Sequence, residues 1–108
     1  MRVAALALLC GAAPALAETQ ASNVRYLCDR DVTVPVVYVN GVDMSLAVLV
    51  VEGSQVLLYS EPAASGARYG WPSDGSNYVW WTKGDEATLY WKDGATGTET
   101  PLLSCKLA

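Results

Sequence analysis

The chain has 108 residues and a formal net charge of −4, which leaves room for one ordinary domain and gives no basic surface for nucleic acid. It has no histidine, which excludes hydrolases built on a histidine base and histidine-ligated metal sites. Its three cysteines are too few for a four-thiolate zinc site, so we expect neither a metal nor a cofactor.

The first segment has the features of a cleaved secretory signal. Arg2 supplies a positive charge, residues 3–13 are apolar, and residues 15–17 (Ala-Leu-Ala) form a small-x-small cleavage pattern. The apolar stretch is too short to span a bilayer as a permanent helix. We expect residues 1–17 to be removed and residues 18–108 to form a single domain that is soluble in the periplasm.

Cys10, which lies within this segment, raises the alternative of lipid attachment. Lipoprotein signals place a small residue directly before the modified cysteine, where this chain has Leu9. The apolar stretch before Cys10 is also short for such a signal. We therefore expect no lipid anchor and no membrane insertion after cleavage.

Two cysteines, Cys28 and Cys105, remain in the mature chain. A pair near opposite ends of an exported protein indicates one disulfide, and the alternative is two buried free thiols. The chain-entropy model assigns the closure of such a long loop roughly 4–5 kcal/mol, although measured gains are often smaller.

The mature chain has the pattern of strands and turns. No convincing apolar run recurs at the helical period, whereas alternation with a period of two is frequent. Turn signals such as Asn40-Gly41 and Asp93-Gly94 separate the alternating runs. The predicted strands comprise residues 24–28, 32–39, 44–51, 55–60, 67–71, 77–82, 87–92 and 98–107.

These short strands indicate an antiparallel barrel or a sandwich. A barrel leaves no exposed sheet edge, and eight strands enclose an interior that side chains can just fill. The predicted fold is therefore all-β, a small eight-stranded antiparallel β-barrel stapled by one disulfide. Pro35 predicts a strand edge, a bulge or a bend, Pro101 predicts a bend or an edge, and residues 18–23 are expected to form a mobile arm.

Two segments have the residue types of a binding loop. Residues 62–69 (PAASGARY) are rich in small residues, and Gly66 permits backbone angles that other residues avoid. In residues 78–87 (YVWWTKGDEA), Lys83 follows an aromatic strand and begins a turn. Taken alone, the first segment is most simply an ordinary turn, and Lys83 is a solvated lysine near the acidic pair that follows it.

Together, the two segments carry a family resemblance. Residues 64–69 (ASGARY) followed by residues 81–87 (WTKGDEA) resemble the bacterial inhibitors of c-type lysozyme, a family with membrane-bound and periplasmic branches. Residues 26–29 (YLCD) and Cys105 support the resemblance, which covers roughly residues 25–106. Members of that family are eight-stranded antiparallel barrels with a disulfide, which agrees with the strand pattern above.

The resemblance implies a site that binds c-type lysozyme as a protein partner. A serine of the first motif and a lysine of the second enter the lysozyme cleft in that family, and the matching residues here are Ser65 and Lys83. Gly66, Arg68 and Tyr69 belong to the first motif, and we expect Arg68 and Tyr69 mainly to support the loop. No catalytic residue is implied, and the oligomeric state is left open.

The chain departs from the family pattern in two places. Ala63 stands where the serine motif usually begins with another serine, and residues 70–77 form a longer segment that carries Trp71 and Pro72. The longer segment could add contact area or obstruct the cleft.

Other functions were weighed against the inhibitor. A carbohydrate- or lipid-binding barrel could use the four tryptophans and six tyrosines, and a structural envelope protein could dock a partner without inhibiting it. An enzyme is least favoured, because the sequence contains no visible pair of nucleophile and base.

Overall fold

The computed structural model describes residues 18–108, which form a closed antiparallel barrel. Each strand pairs with its neighbours in sequence, and the last strand pairs with the first. The strands are β1 (Gln20–Cys28), β2 (Thr33–Asn40), β3 (Ser45–Val51), β4 (Ser54–Glu61), β5 (Ala67–Gly70), β6 (Asn77–Lys83), β7 (Glu86–Lys92) and β8 (Glu99–Leu107). The predicted fold class is confirmed, whereas the predicted signal lies outside the described residues.

The start of β1 corrects one expectation. Residues 18–23 were expected to form a mobile arm, yet the segment from Gln20 to Asn23 pairs with the segment from Val37 to Asn40. The side chains of residues 20–23 are exposed, so they carry no apolar alternation that would reveal a strand. Backbone pairing does not require apolar side chains, and the prediction was wrong for this reason.

Both prolines lie where their strand is paired on one side only, which agrees with the prediction of a strand edge. Pro35 lies before the start of the β2–β3 ladder at Val36, so its part of β2 is paired with β1 alone. The β7–β8 register shifts beside Pro101 and leaves Leu102 as the extra residue of a bulge. The β1–β8 ladder reaches only to Cys105, so Pro101 also lies where its strand is paired on one side.

All eight strands contribute side chains to the barrel interior. The short strand β5 contributes one of them, Tyr69. The largest side chains of this interior are Trp80, Leu49, Leu58, Leu89, Val34 and Val36, whereas Val79 is buried on the opposite face of β6 from Trp80. Each of these has less than 2% of its surface exposed, which is the close packing expected of a small eight-stranded barrel.

A hydrogen-bond network crosses this interior at Tyr38. The indole Nε1 of Trp80 donates to Tyr38 Oη at 2.8 Å, and the hydroxyl groups of Tyr38 and Tyr26 lie 2.8 Å apart. Burial raises the pKa of Tyr38 well above its ordinary value, and the hydrogen bond with Tyr26 adds to the shift. Tyr38 therefore stays neutral and satisfies two polar groups inside an apolar barrel.

We expect Tyr38→Phe to lower the free energy of unfolding by about 1–3 kcal/mol, because it leaves the buried Trp80 N–H without an acceptor. Urea unfolding followed by tryptophan fluorescence measures the change. Tyr90→Phe is the matched control, since Tyr90 is half-buried and no side-chain hydrogen bond to it occurs within residues 18–108. Equal stabilities for the two variants would contradict the proposed importance of the network.

The predicted disulfide joins β1 to β8. Cys28 and Cys105 are directly opposite each other in the ladder and are covalently linked, which confirms the pairing. The bond spans 77 residues of sequence and closes the barrel where its first and last strands meet. Both residues are buried, so the bond is also part of the core.

Replacing both Cys28 and Cys105 with alanine is expected to lower the free energy of unfolding by about 2–3 kcal/mol. The expected loss lies below the roughly 4–5 kcal/mol of the chain-entropy model, because backbone pairing still holds β8 to its neighbours β1 and β7. Chemical denaturation of the oxidised parent and the double variant measures it. Peptide mapping without reductant that found two free thiols in the parent would refute the assignment.

Candidate functional site

The barrel topology brings the two sequence motifs together at one end. The first motif forms the turn between β4 and β5, and the second begins where β6 ends. Because β5 and β6 are antiparallel, with Ala67 opposite Thr82, the turn before Ala67 lies beside the residue after Thr82. The turn that carries Ser65 therefore lies beside Lys83, although Ser65 and Lys83 are 18 positions apart in sequence.

Gly66 allows the first motif to approach the second this closely. Its φ angle is +67°, which lies in the left-handed region that favours glycine. A Cβ atom at this position would lie 2.0 Å from the backbone oxygen of Thr82 and 2.9 Å from Cγ of Lys83. The turn thus packs directly against the backbone of β6, with no space for a side chain between them.

Trp81 connects the turn to the lysine. Its indole Nε1 donates a hydrogen bond to the backbone oxygen of Ser65 at 2.8 Å. Nζ of Lys83 lies 4.5 Å from the centre of the same ring, within cation–π range. The sequence indicates Trp81 only as part of a motif, and this role was not predicted. Residues two positions apart on one strand share a face. The spacing of Trp81 and Lys83 was therefore the signal that could have revealed their contact.

Arg68 anchors the base of the turn through two carboxylates. It is the cross-strand neighbour of Glu61 and forms ion pairs with Glu61 and Glu99. Hydrogen bonding from Arg68 lowers the pKa of Glu99, and hydrogen bonding to Glu99 contributes most to raising the pKa of Arg68. Neither carboxylate was predicted, because the strand pattern alone did not give the β4–β5 register that places Glu61 opposite Arg68, and Glu99 lies on β8 beyond the intervening strands β6 and β7.

Tyr69 points into the barrel beneath the turn. It has 6% of its surface exposed, and its ring centre lies 5.6 Å from that of Tyr38. Burial raises its pKa above the ordinary tyrosine value. A partner protein therefore cannot reach Tyr69 directly, and its effect on binding would pass through the turn that it holds in place.

Ser65 and Lys83 are both exposed at this end of the barrel. Within residues 18–108, the ion pairs are those that Arg68 makes, so Lys83 has no carboxylate partner of its own. The sequence analysis considered a solvated lysine near Asp85 or Glu86, and the structure places neither acid within ion-pair distance of it. The Lys83 ammonium is therefore available to a carboxylate from another molecule.

The long segment after β5 lies away from this pair. It connects the opposite ends of β5 and β6 and packs on the β7–β8 turn, where the amide of Gly94 donates to Oγ of Ser76 at 2.8 Å. A Cβ atom at Gly94 would lie only 2.4 Å from the backbone oxygen of Asp74. The segment thus belongs to the far end of the barrel and is not part of the surface around Ser65 and Lys83, where it had been considered as added contact area or an obstruction.

The filled barrel exposes a serine-bearing turn beside a lysine that has no carboxylate partner within residues 18–108, which are features of a protein-binding module. A sequence model of the family described as membrane-bound lysozyme-inhibitor of c-type lysozyme matches residues 26–97. The chain belongs to this family, which confirms the resemblance found in the two motifs. The family is named for inhibition and not for an enzymatic activity.

Two curated relatives carry the name membrane-bound lysozyme inhibitor of C-type lysozyme. The protein from Cupriavidus necator is 48% identical over 66 residues, which cover 61% of this chain and 50% of the relative. The protein from Pseudomonas aeruginosa is 42% identical over 86 residues, which cover 77% of this chain and 65% of the relative. The chain therefore spans between half and two thirds of the length of these relatives. Among residues 18–108, no helix is both long and apolar enough to cross a membrane.

Two solved structures share the fold. Pseudomonas aeruginosa MliC, crystallised in complex with hen egg white lysozyme, has a TM-score of 0.67 and 34% identity, covering 100% of this chain and 98% of that one. PliC from Salmonella typhimurium, a periplasmic lysozyme inhibitor of c-type lysozyme, has a TM-score of 0.68 and 27% identity, covering 82% of this chain and 99% of that one.

Proposed function

We propose that this protein inhibits c-type lysozyme by placing Ser65 and Lys83 in the active-site cleft of the enzyme. The observation that carries the proposal is the exposed Lys83 ammonium, which lies beside the Ser65 turn and has no carboxylate partner within residues 18–108. Family membership supports it, as does the crystallisation of one structural relative with hen egg white lysozyme.

The chemistry of the two side chains suits this target. Lysozyme cleaves glycosidic bonds with a glutamate and an aspartate that flank the scissile bond. The ammonium of Lys83 can donate charge-assisted hydrogen bonds to these carboxylates, and the hydroxyl of Ser65 can donate to one group while accepting from another. Occupation of the cleft also excludes the polysaccharide, so inhibition requires no covalent step.

The charge of the chain favours encounter with a basic enzyme. Removal of Arg2 with the signal would leave 6 basic and 11 acidic residues, a net charge of −5. Opposite net charges raise the association rate more than they raise the final affinity. Inhibition should therefore develop faster at low ionic strength.

The proposal is tested by a lytic assay with purified protein and hen egg white lysozyme. We expect dose-dependent inhibition that approaches one inhibitor per enzyme when both are well above the dissociation constant. Lysis that continues at the normal rate in a large excess of the protein would overturn the proposal. Saturable binding to peptidoglycan fragments without an effect on lysozyme would instead favour the carbohydrate-binding alternative.

We also propose that the mature protein begins at Glu18 and is soluble in the periplasm. The reasons are the Ala-Leu-Ala pattern of residues 15–17 and the presence of Leu9 before Cys10. Intact-mass measurement of the exported protein is expected to give the unmodified chain from residue 18 onward. A diacylated species that begins at Cys10 would show a membrane-anchored form instead.

A further inference from the structure

Trp81 contacts both halves of the candidate site with different parts of one side chain. The edge of its indole donates the hydrogen bond to the backbone oxygen of Ser65, and its ring lies beside Nζ of Lys83. Trp81 is half-buried, on the outer surface of β6, next to the fully buried Trp80 that points inward. The relative position of Ser65 and Lys83 therefore depends on a third residue, Trp81.

Besides the packing of Gly66 on β6, few contacts restrain the turn that carries Ser65. Residues 62–66 are all exposed and mostly small, so they bury no apolar anchor. Within residues 18–108, the side-chain hydrogen bond that reaches this turn is the one from Trp81. Without it, the backbone at Ser65 would sample more conformations, and binding would have to order them.

Lys83 has a similar need for restraint. Its four-carbon side chain has many rotamers, and fixing it on binding costs conformational entropy. The face of the Trp81 ring attracts the ammonium while leaving it exposed to a partner. The contact with the ring therefore restricts the positions of Nζ. Unlike a carboxylate in the same place, the ring does not compete with a partner's carboxylate for the ammonium.

Trp81 is itself fixed from the neighbouring strand. Arg68 is its cross-strand partner on β5, and Cζ of Arg68 lies 5.2 Å from the ring centre. Arg68 is held in turn by Glu61 on β4 and Glu99 on β8. The Trp81 ring thus packs beside Arg68, whose ion pairs with Glu61 and Glu99 extend across the barrel surface.

We propose that Trp81 is a positioning residue for inhibition, holding the Ser65 turn through its indole N–H and the Lys83 ammonium through its ring face. This inference rests on the proposed inhibition of lysozyme. It adds that the two restraints are separable, because phenylalanine at position 81 retains an aromatic face but has no N–H donor.

The first test is a double-mutant cycle measured as inhibition constants against hen egg white lysozyme. Trp81→Phe should weaken inhibition roughly 3- to 10-fold through the lost hydrogen bond. In the Trp81→Phe background, Ser65→Ala should then cost less than it does in the parent, while Lys83→Ala should cost about the same. Trp81→Leu should lower the effects of both Ser65→Ala and Lys83→Ala. Trp91→Leu is the control, since Trp91 is an exposed tryptophan on β7, outside both motifs.

The second test uses the free protein and so does not depend on inhibition. In nuclear magnetic resonance spectra of the parent, ring currents should shift the methylene protons of Lys83 upfield. Trp81→Leu should abolish this shift, and Trp81→Phe should retain part of it. Amide exchange in residues 64–67 should accelerate in both variants, with circular dichroism confirming the barrel fold.

The possible failures are distinguishable. A parent protein that does not inhibit lysozyme would overturn the proposed function, and the positioning role with it. A parent that inhibits, together with a folded Trp81→Leu variant that inhibits equally well, would overturn only the positioning role. Unchanged costs of Ser65→Ala in the Trp81→Phe background would refute the hydrogen-bond half of the proposal, even if Trp81→Leu does not fold.

Discussion

Lys83→Ala is expected to weaken inhibition of hen egg white lysozyme about 30-fold or more while leaving the barrel folded. In the bound state the ammonium would be desolvated against two carboxylates, and its removal would leave those carboxylates without a partner. Truncation of one member of such an interfacial pair typically costs about 2–5 kcal/mol, which corresponds to this loss of affinity. Lys83 is exposed and makes no ion pair within residues 18–108, so its removal should cost no more stability than its contact with the Trp81 ring contributes, about 1 kcal/mol or less.

The measurement is a set of inhibition constants at fixed ionic strength, with circular dichroism to verify folding. Lys92→Ala is the control, because Lys92 lies outside both motifs at the opposite end of the barrel from Lys83, and although it neighbours Glu99 it should change little beyond the association rate at low salt. Ser65→Ala should cost about 1–2 kcal/mol, since a neutral hydroxyl is involved. Lys83→Arg should not restore full inhibition, because the planar guanidinium has a different shape. Unchanged inhibition by Lys83→Ala would show that the assigned site is wrong.

Much of the fold could be predicted from the sequence because its signals are local. Apolar residues alternate along β7, β2 is rich in β-branched residues, and paired turn residues separate the strands. The first residues of β1 were missed since they are polar and exposed, and only their pairing with β2 makes them a strand. Closure of the barrel depends on contacts between β1 and β8, which no local pattern encodes.

The candidate site was predictable only in part. Ser65 and Lys83 were found through motif resemblance, since spacing alone did not place them together. Their proximity follows from the antiparallel register of β5 and β6, which the hairpin pattern could have given approximately. The two ion pairs of Arg68 with Glu61 and Glu99 were not predictable, because they join side chains from β4, β5 and β8 across the barrel surface.

Gly66→Ala is expected to weaken inhibition roughly 10- to 100-fold, because it displaces the Ser65 turn from Lys83. The new methyl carbon would lie 2.0 Å from the backbone oxygen of Thr82, and contacts below 3.0 Å are essentially never found. The turn must therefore move by about 1 Å or more, and the hydrogen bond from Trp81 to Ser65 must lengthen or break. A site of two side chains loses much of its effect when they are misplaced by such a distance.

The control for Gly66→Ala must separate two effects of the substitution, the steric contact with the backbone of Thr82 and the strain of a positive φ angle. Gly97→Ala does so, because Gly97 also has a positive φ, +78°, but a Cβ atom there would meet nothing within 4 Å. Both variants should lose about 1–2 kcal/mol of stability from the left-handed backbone alone, which urea unfolding measures. Only Gly66→Ala should lose inhibition, since Gly97 lies in the β7–β8 turn at the opposite end of the barrel. If Gly66→Ala inhibits lysozyme as strongly as Gly97→Ala does, close packing of the Ser65 turn on β6 is not required for inhibition.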